Sequence, residues 1–220
     1  MPLQPSDYDQ LFVPGAAFPT SDGESRTVRL DSGWLSLPTG RVVAAEPGFL
    51  GLADEDCAFT QTVPPGKYPV GLAVVKYRDS EGAGVIDERV AAARLVIRDE
   101  PVVAWELAVV KGQDVAELDE AEFFGYAVDG GTGCFTDAGI IQSVLEDDPE
   151  WAIDVGMDVG DRPTAVNEAE GPDGEPILVA FSTGYGDGHY PTWIGRTAGG
   201  DVACFLTDFF LLDDEDAEAG

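Results

Sequence analysis

The chain is poor in positive charge. Its 220 residues include 12 Lys and Arg against 42 Asp and Glu, which gives a formal net charge of −30. Proteins bind the phosphates of DNA or RNA through cationic surfaces, so we expect no nucleic-acid partner. A basic protein is the expected partner instead, because complementary charge accelerates encounter. Sparse lysine is also typical of adaptation to high salt, which screens the repulsion between acidic groups.

Histidine and catalytic signatures are equally scarce. His189 is the single histidine, so any His-dependent triad would have to use it. The motifs G-x-S-x-G, H-E-x-x-H and G-x-x-x-x-G-K-[ST] do not occur. Pairs of carboxylates, as used by glycosidases, do not indicate an active site here, because 42 of the 220 residues are Asp or Glu. An enzymatic function stays open, but no motif supports it.

Cysteines are few and long apolar runs are missing. Cys57, Cys134 and Cys204 form no C-x-x-C pair, which argues against a zinc knuckle or a thioredoxin-type site and favours buried, small apolar side chains. The N-terminus, "MPLQPSDYDQ", lacks the features of a signal peptide, and no run of 18 apolar residues exists. The sequence therefore predicts a cytoplasmic protein without a membrane partner.

Glycine and proline, in contrast, are plentiful. The 27 Gly and 15 Pro are spread along the chain, a distribution typical of many short strands joined by turns. We therefore predict a mainly β fold, at the margin of α+β, in which antiparallel sheets pack as a sandwich or an open barrel with one or two short helices. Three segments are expected: an irregular N-terminal arm (1–25), a single β-rich domain (26–212) and a disordered acidic tail (213–220).

Two local features make this prediction specific. The runs "KYPVGLAVVKY", "ERVAAARLVIR" and "VVAWELAVV" follow one another as a predicted antiparallel meander, in which Arg94 and Glu106 would form a cross-strand ion pair. The segment "TDAGIIQSVLEDD" is the best helix candidate. Asp137 or Thr136 would cap it, and its apolar residues recur at helical spacing.

The segment "STGYGDGHYPTWIGR" (182–196) is the first candidate site. Its glycines surround Tyr185 and Asp187, so the backbone can turn sharply there. One interpretation is a hairpin loop whose aromatic side chains fold onto the sheet. The other is a site at the loop tip, where Asp187 would orient His189 for general-base catalysis or metal binding.

The segment "VDGGTGCFTD" (128–137) is the second candidate site. Its glycines could expose amides as an anion nest beside Cys134, a conceivable nucleophile. Because the surrounding charge repels anions, a hard cation such as calcium, bound by Asp129, Asp137 and Asp187, is the better hypothesis. Over both of these sites, the residues favour a tight turn that leads into a helix cap. The candidate functional residues are Asp129, Gly133, Cys134, Asp137, Tyr185, Asp187, His189, Tyr190 and Asp208.

The order of these motifs, from "PPGKYPV" through "VDGGTGCFTD" and "GYGDGHYPTWIGR" to "DVACFLTDFFLL", resembles a bacterial family of unknown function, numbered four-two-four-one. The resemblance covers roughly residues 48–212. It implies a bacterial, cytoplasmic domain and provides no catalytic residues. The family-like positions are Gly66, Asp129, Gly133, Asp137, Gly186, Asp187, Gly188, Tyr190, Gly195 and Asp208.

Three hypotheses of function follow. The first is a non-catalytic binding module, for example an immunity-type protein that neutralises a basic toxin, for which no cofactor is expected. The second is a metal-binding module or metal-dependent hydrolase that uses Asp129, Asp137, Asp187 and His189 to hold a divalent cation. In the third, the acidity reflects adaptation to salt and carries no information about a partner.

Overall fold

The computed structural model describes residues 1–20, 23–50, 57–78, 84–148, 150–160, 164, 166–171 and 173–211, and it shows a mainly antiparallel β protein, as predicted. The strands are β1 (Ala17–Thr20), β2 (Gly23–Leu37), β3 (Val42–Ala45), β4 (Gly66–Arg78), β5 (Val85–Val96), β6 (Ala104–Leu107), β7 (Tyr126–Val128), β8 (Thr132–Asp137), β9 (Val166–Glu170), β10 (Pro176–Ser182), β11 (Gly188–Tyr190), β12 (Thr192–Arg196) and β13 (Val202–Asp208). The helices are α1 (Tyr8–Leu11), α2 (Ala138–Asp147) and α3 (Trp151–Gly160).

The strands form three sheets. Seven strands, in the order β1-β2-β4-β5-β13-β12-β6, make a large sheet that curls into a half-barrel. A small sheet has the order β3-β8-β10-β9, and β11 pairs with β7 in a two-stranded ribbon. All of these pairs are antiparallel, so the predicted class of fold is confirmed.

Buried apolar side chains form three clusters: one between the two larger sheets, one between the small sheet and its helices, and one on the outer face of the large sheet. The main core lies between the large and small sheets, where Leu72 and Phe205 meet Phe135 and Phe181. Burial of such side chains is the chief stabilising contribution to folding. The other face of the small sheet, which includes Leu178, is covered by α2 and α3. The β strands therefore place the helices on the outside of the small sheet.

The N-terminal segment differs from the predicted irregular arm. It contains α1 and β1, and Tyr8, Leu11 and Phe12 are buried against the outer face of the large sheet. That face presents apolar side chains such as Val75 and Leu206, whose exposure to water would be unfavourable. Sequence reasoning missed this because the cover is a tertiary contact. The predicted acidic tail, 213–220, lies outside the described residues.

The predicted ion pair between Arg94 and Glu106 is wrong. Strands β5 and β6 are consecutive in the chain, but β13 and β12 lie between them in the sheet. Arg94 lies opposite Leu206, and its guanidinium carbon is 3.8 Å from the centre of the Phe12 ring. Glu106 instead accepts hydrogen bonds from Arg196 on the neighbouring strand β12. The predicted meander therefore holds for β4 and β5 but not for β6, because strands from the end of the chain intervene.

The two longer helices gave different results. Helix α2 begins where predicted, and Asp137 caps it by accepting hydrogen bonds from the amides of Gly139 and Ile140. Helix α3 was not predicted, because its sequence, "WAIDVGMDVG", contains two glycines and a nearly alternating apolar pattern. Among the described residues, the structure contains no helix that is long and apolar enough to span a membrane.

Candidate functional site

The two glycine-rich segments are neighbours. Residues 129–131 join β7 to β8, and residues 183–187 join β10 to β11, so both loops pass between the small sheet and the ribbon. The Thr183 amide donates a hydrogen bond to the Gly131 carbonyl at 3.1 Å. A Cβ atom on Gly131 would lie 3.5 Å from the Gly186 Cα atom. That distance is an ordinary contact, so glycine is favoured here by the positive φ angles of Gly131 (65°) and Gly186 (109°) and not by lack of space.

The segment 183–187 is a connector between strands, as expected, but it is not a hairpin. Strand β10 pairs with β8 and β9, whereas β11 pairs with β7. The connector is closed by its own bonds: the Thr183 hydroxyl donates to the Gly186 carbonyl at 2.8 Å, and the Tyr190 hydroxyl lies 2.9 Å from the same oxygen. Burial raises the pKa of Tyr190. The Tyr190 side chain therefore stabilises the conformation of the connector.

Asp187 and His189 are both exposed, and they do not form a catalytic pair. Within the described residues, no hydrogen bond or ion pair joins these two side chains. His189 lies opposite Ala127 in the ribbon, and its ring is 5.6 Å from the ring of Phe123. Partial burial lowers the pKa of His189 below its ordinary value. The imidazole packs on an aromatic ring and is not oriented by a carboxylate.

Asp137 is fully buried and occupied by hydrogen bonds. Its carboxylate accepts from the amide and hydroxyl of Thr39 at 2.9 and 2.7 Å, as well as from the two amides at the start of α2. A carboxylate at a helix N-terminus stabilises the exposed amides there. The interpretation as a turn that leads into a helix cap therefore describes this residue.

The remaining acidic candidates are dispersed. Asp129 is exposed, and it contributes its backbone amide, together with that of Gly130, to the Glu46 carboxylate. Asp208 is buried and accepts a hydrogen bond from the Phe210 amide at 2.9 Å. No group of three or more His, Cys, Asp or Glu side chains within the described part of the chain is arranged to hold a metal ion.

The cysteines are free thiols in apolar surroundings. Cys134 is fully buried in strand β8, and burial raises its pKa, so it does not have the properties of an activated nucleophile. Burial also raises the pKa of Cys204 to about 11. Gly133, beside Cys134, lies tightly against its neighbours: an added Cβ atom would be 2.6 Å from the Tyr126 hydroxyl oxygen.

One contact of the connector was not predicted from the sequence. The Arg89 guanidinium carbon lies 4.7 Å from the centre of the Tyr185 ring, and Arg89 also donates to the Gly184 carbonyl at 3.1 Å. Asp87 accepts from the same guanidinium at 2.7 Å. Tyr185 is 67% exposed, so the loop carries an aromatic ring in solvent that is held by a cation. Only the fold brings strand β5 beside this loop.

The exposed face of α3 is the other feature that sequence reasoning missed. Ile153 and Met157 are 45% and 72% exposed, and their spacing of four residues places them on one side of the helix. Glu150 and Asp154 are exposed on the same side, and the Glu150 carbonyl accepts the Asp154 amide at 3.1 Å. We call Glu150, Ile153, Asp154 and Met157 the α3 face. It combines apolar contact area with negative charge.

The segment that carries the α3 face has charged residues of one sign. Residues 138–160 contain six acidic and no basic residues. Glu146 and Asp147, at the end of α2, are exposed. The opposite side of α3 is buried through residues such as Val155 and Val159. The helix is therefore anchored from below and presents its acidic, apolar side to solvent.

The family model described as "Protein of unknown function (DUF4241)" matches residues 35–207. The chain belongs to the DUF4241 family. The match begins earlier than the resemblance predicted and includes both glycine-rich loops, α2 and α3. No curated protein and no solved structure matches this DUF4241 chain.

Proposed function

We propose that this DUF4241 protein is a non-catalytic binding module that recognises a basic protein through the α3 face. The observation that carries the proposal is the pair of exposed apolar side chains, Ile153 and Met157, within a segment that contains only acidic charged residues. Exposed apolar groups inside a polar rim are typical of protein-interaction sites.

The chemistry of the face defines the partner. Its two apolar side chains would contact apolar side chains of the partner, whereas Glu150 and Asp154 would attract lysine or arginine around that contact. A basic amphipathic helix presents both kinds of group on neighbouring positions. The class of partner that we propose is therefore a basic protein, as in an immunity protein that binds and neutralises a basic toxin.

The net charge of −30 supports the same proposal at longer range. Opposite net charges raise the rate of encounter, and the increase becomes smaller as salt screens the field. Attraction by overall charge alone would not distinguish one acidic surface from another. The apolar pair supplies the short-range, localised contribution that a specific complex needs.

The first experiment measures binding of a defined probe. A synthetic amphipathic helical peptide of leucine and lysine is titrated onto the protein, beside a peptide of the same composition in scrambled order. We expect the amphipathic peptide to bind at least about tenfold more tightly, because only it presents one apolar face. Equal affinities would mean that the interaction is non-specific charge attraction, which contradicts the proposal.

A matched pair of variants then locates the contact. Ile153→Ser/Met157→Ser removes the apolar side chains of the α3 face, and Val13→Ser/Val103→Ser removes two exposed apolar side chains elsewhere. We expect the first variant to lose about tenfold or more in peptide affinity and the second to change it less than about twofold. An equal loss in both variants would place the binding surface elsewhere.

Salt separates partner recognition from adaptation to salt. Adaptation predicts that the protein melts in low salt and is stabilised in molar salt, because screening relieves repulsion within the fold. Recognition predicts that peptide binding weakens as salt rises while the difference between the two variants persists. Recovery of a basic protein by pull-down at low salt, lost in the Ile153→Ser/Met157→Ser variant, would extend the result to a natural partner.

A further inference from the structure

A cavity of 260 Å³ lies between the end of β3, the turn at 47–49, the segment 108–113 and β7. Its walls are mainly apolar and include Phe49, Leu50, Phe59, Val110 and Tyr126. Sites for drug-sized ligands typically measure roughly 300–1,000 Å³, so this cavity suits a smaller molecule. It lies outside the α3 face.

Among the described residues that line the cavity, Glu46 is the one that carries a charge. The Glu46 Oε2 atom accepts hydrogen bonds from the amides of Asp129 and Gly130, which hold the carboxylate in place. Within the described residues, the Glu46 Oε1 atom accepts no hydrogen bond, and no basic side chain forms an ion pair with this carboxylate. The wall therefore carries the negative charge of Glu46, and the Glu46 Oε1 atom has no hydrogen-bond donor among the described residues.

We propose that this cavity binds a small, apolar primary amine, with its ammonium group at Glu46 and its hydrocarbon body against the aromatic and aliphatic walls. An ammonium group would supply a hydrogen-bond donor for the Glu46 Oε1 atom and a positive charge beside the carboxylate, neither of which the described residues provide. The hydrocarbon body removes apolar wall and apolar ligand from water together. A carboxylate or phosphate ligand would be repelled by Glu46, and a fully hydrated cation would gain nothing from the apolar walls.

The test uses hexylamine as the probe, with calorimetry in about 0.5 M salt so that attraction to the acidic surface is screened. Methylamine carries the same charge without the hydrocarbon body, and hexanol carries the body without the charge. We expect hexylamine to bind about tenfold or more tightly than either compound, because it alone satisfies both parts of the site. An equal affinity for methylamine or hexanol, or no detectable binding of hexylamine, would overturn the proposal.

Two variants locate the amine. Glu46→Gln keeps an oxygen that can accept the amides of residues 129 and 130 but removes the charge, whereas Glu100→Gln makes the same change on an exposed segment away from the cavity. We expect hexylamine affinity to fall about tenfold in Glu46→Gln and to stay within about twofold in Glu100→Gln. An equal response of both variants would overturn the assignment.

A third variant tests the cavity independently of Glu46, in case Glu46→Gln does not fold. Ala127 is exposed and lines the cavity, so Ala127→Phe should fill it without altering the core. We expect this variant to fold and to lose hexylamine binding, and unchanged binding would contradict the cavity as the site. The Ile153→Ser/Met157→Ser variant should bind hexylamine normally, so failure of the α3 face and failure of the cavity are distinguishable.

Discussion

The glycine-rich loops and the α3 face differ in how their polar groups are used. In and beside the loops, the carboxylate of Asp137 and the hydroxyls of Thr183 and Tyr190 form hydrogen bonds within the chain. On the α3 face, Ile153 and Met157 are exposed although they are apolar. The loops, which carry the more conspicuous sequence motif, are explained by folding. The plainer helix has a surface that folding alone does not explain.

This contrast shows why a cluster of distinctive residues is not by itself a functional site. Glycine, aspartate and tyrosine in the loops satisfy conformational and hydrogen-bonding needs that arise where the chain passes between two sheets. The predictions below test whether the loops contribute to stability while the α3 face does not.

Replacement of Asp137 should have the largest effect. Asp137→Ala leaves the partly buried amides of Thr39, Gly139 and Ile140 without their shared acceptor, so we expect a loss of about 2–4 kcal/mol in the free energy of unfolding. Chemical denaturation measures it. Asp187→Ala, an exposed change of the same kind, should stay within about 0.5 kcal/mol. Similar losses in both variants would remove the distinction between cap and surface.

Gly133→Ala should have a smaller but clear effect. The added methyl group would lie 2.6 Å from the Tyr126 hydroxyl oxygen and 3.0 Å from the Phe181 ring, so the neighbours must move. Overpacking of this kind costs about 1–3 kcal/mol in unfolding free energy. Gly199→Ala is the control, since its nearest neighbouring atom would be 3.6 Å away. A stable Gly133→Ala variant would show that β8 can shift freely.

His189 should make a small, pH-dependent contribution. Its pKa is lower in the folded protein than the ordinary value of 6.5, so the unfolded chain binds the proton more readily. At pH values above 6.5, His189 therefore has no pH-dependent effect on the free energy of unfolding. As the pH falls from 6.5 through the folded-state pKa, His189 increasingly destabilises the folded protein. Comparison of unfolding free energies of the wild type and His189→Gln across this range isolates the effect. A difference that grows as pH rises would contradict the sign.

The α3 face should contribute least to stability. Because Ile153 and Met157 are exposed, we expect Ile153→Ser/Met157→Ser to change the unfolding free energy by less than about 0.5 kcal/mol per site. Ile141→Ala, a buried apolar residue of α2 in the same layer, should cost about 2–5 kcal/mol. Thermal and chemical unfolding would measure both. A large loss in the first variant would mean that the α3 face has a structural role.

Features that depend on residues close together in the chain could be predicted from the sequence. Glycine and proline spacing indicated many short strands, and the Asp137 cap and apolar spacing located α2. Each of these follows from backbone preferences and hydrogen bonds within a few residues. The order of motifs also led to the family, which the match over residues 35–207 establishes.

Contacts between segments that are distant in the chain could not be predicted from the sequence and became known from the fold. Strands β13 and β12 lie between β5 and β6 and separate Arg94 from Glu106. The N-terminal segment packs on the outer face of the large sheet, and α3 packs on the small sheet. The two glycine-rich loops became neighbours, but their acidic side chains did not form a common cluster within the described residues. These outcomes depend on burial of apolar surface across the whole fold, which local pattern does not encode.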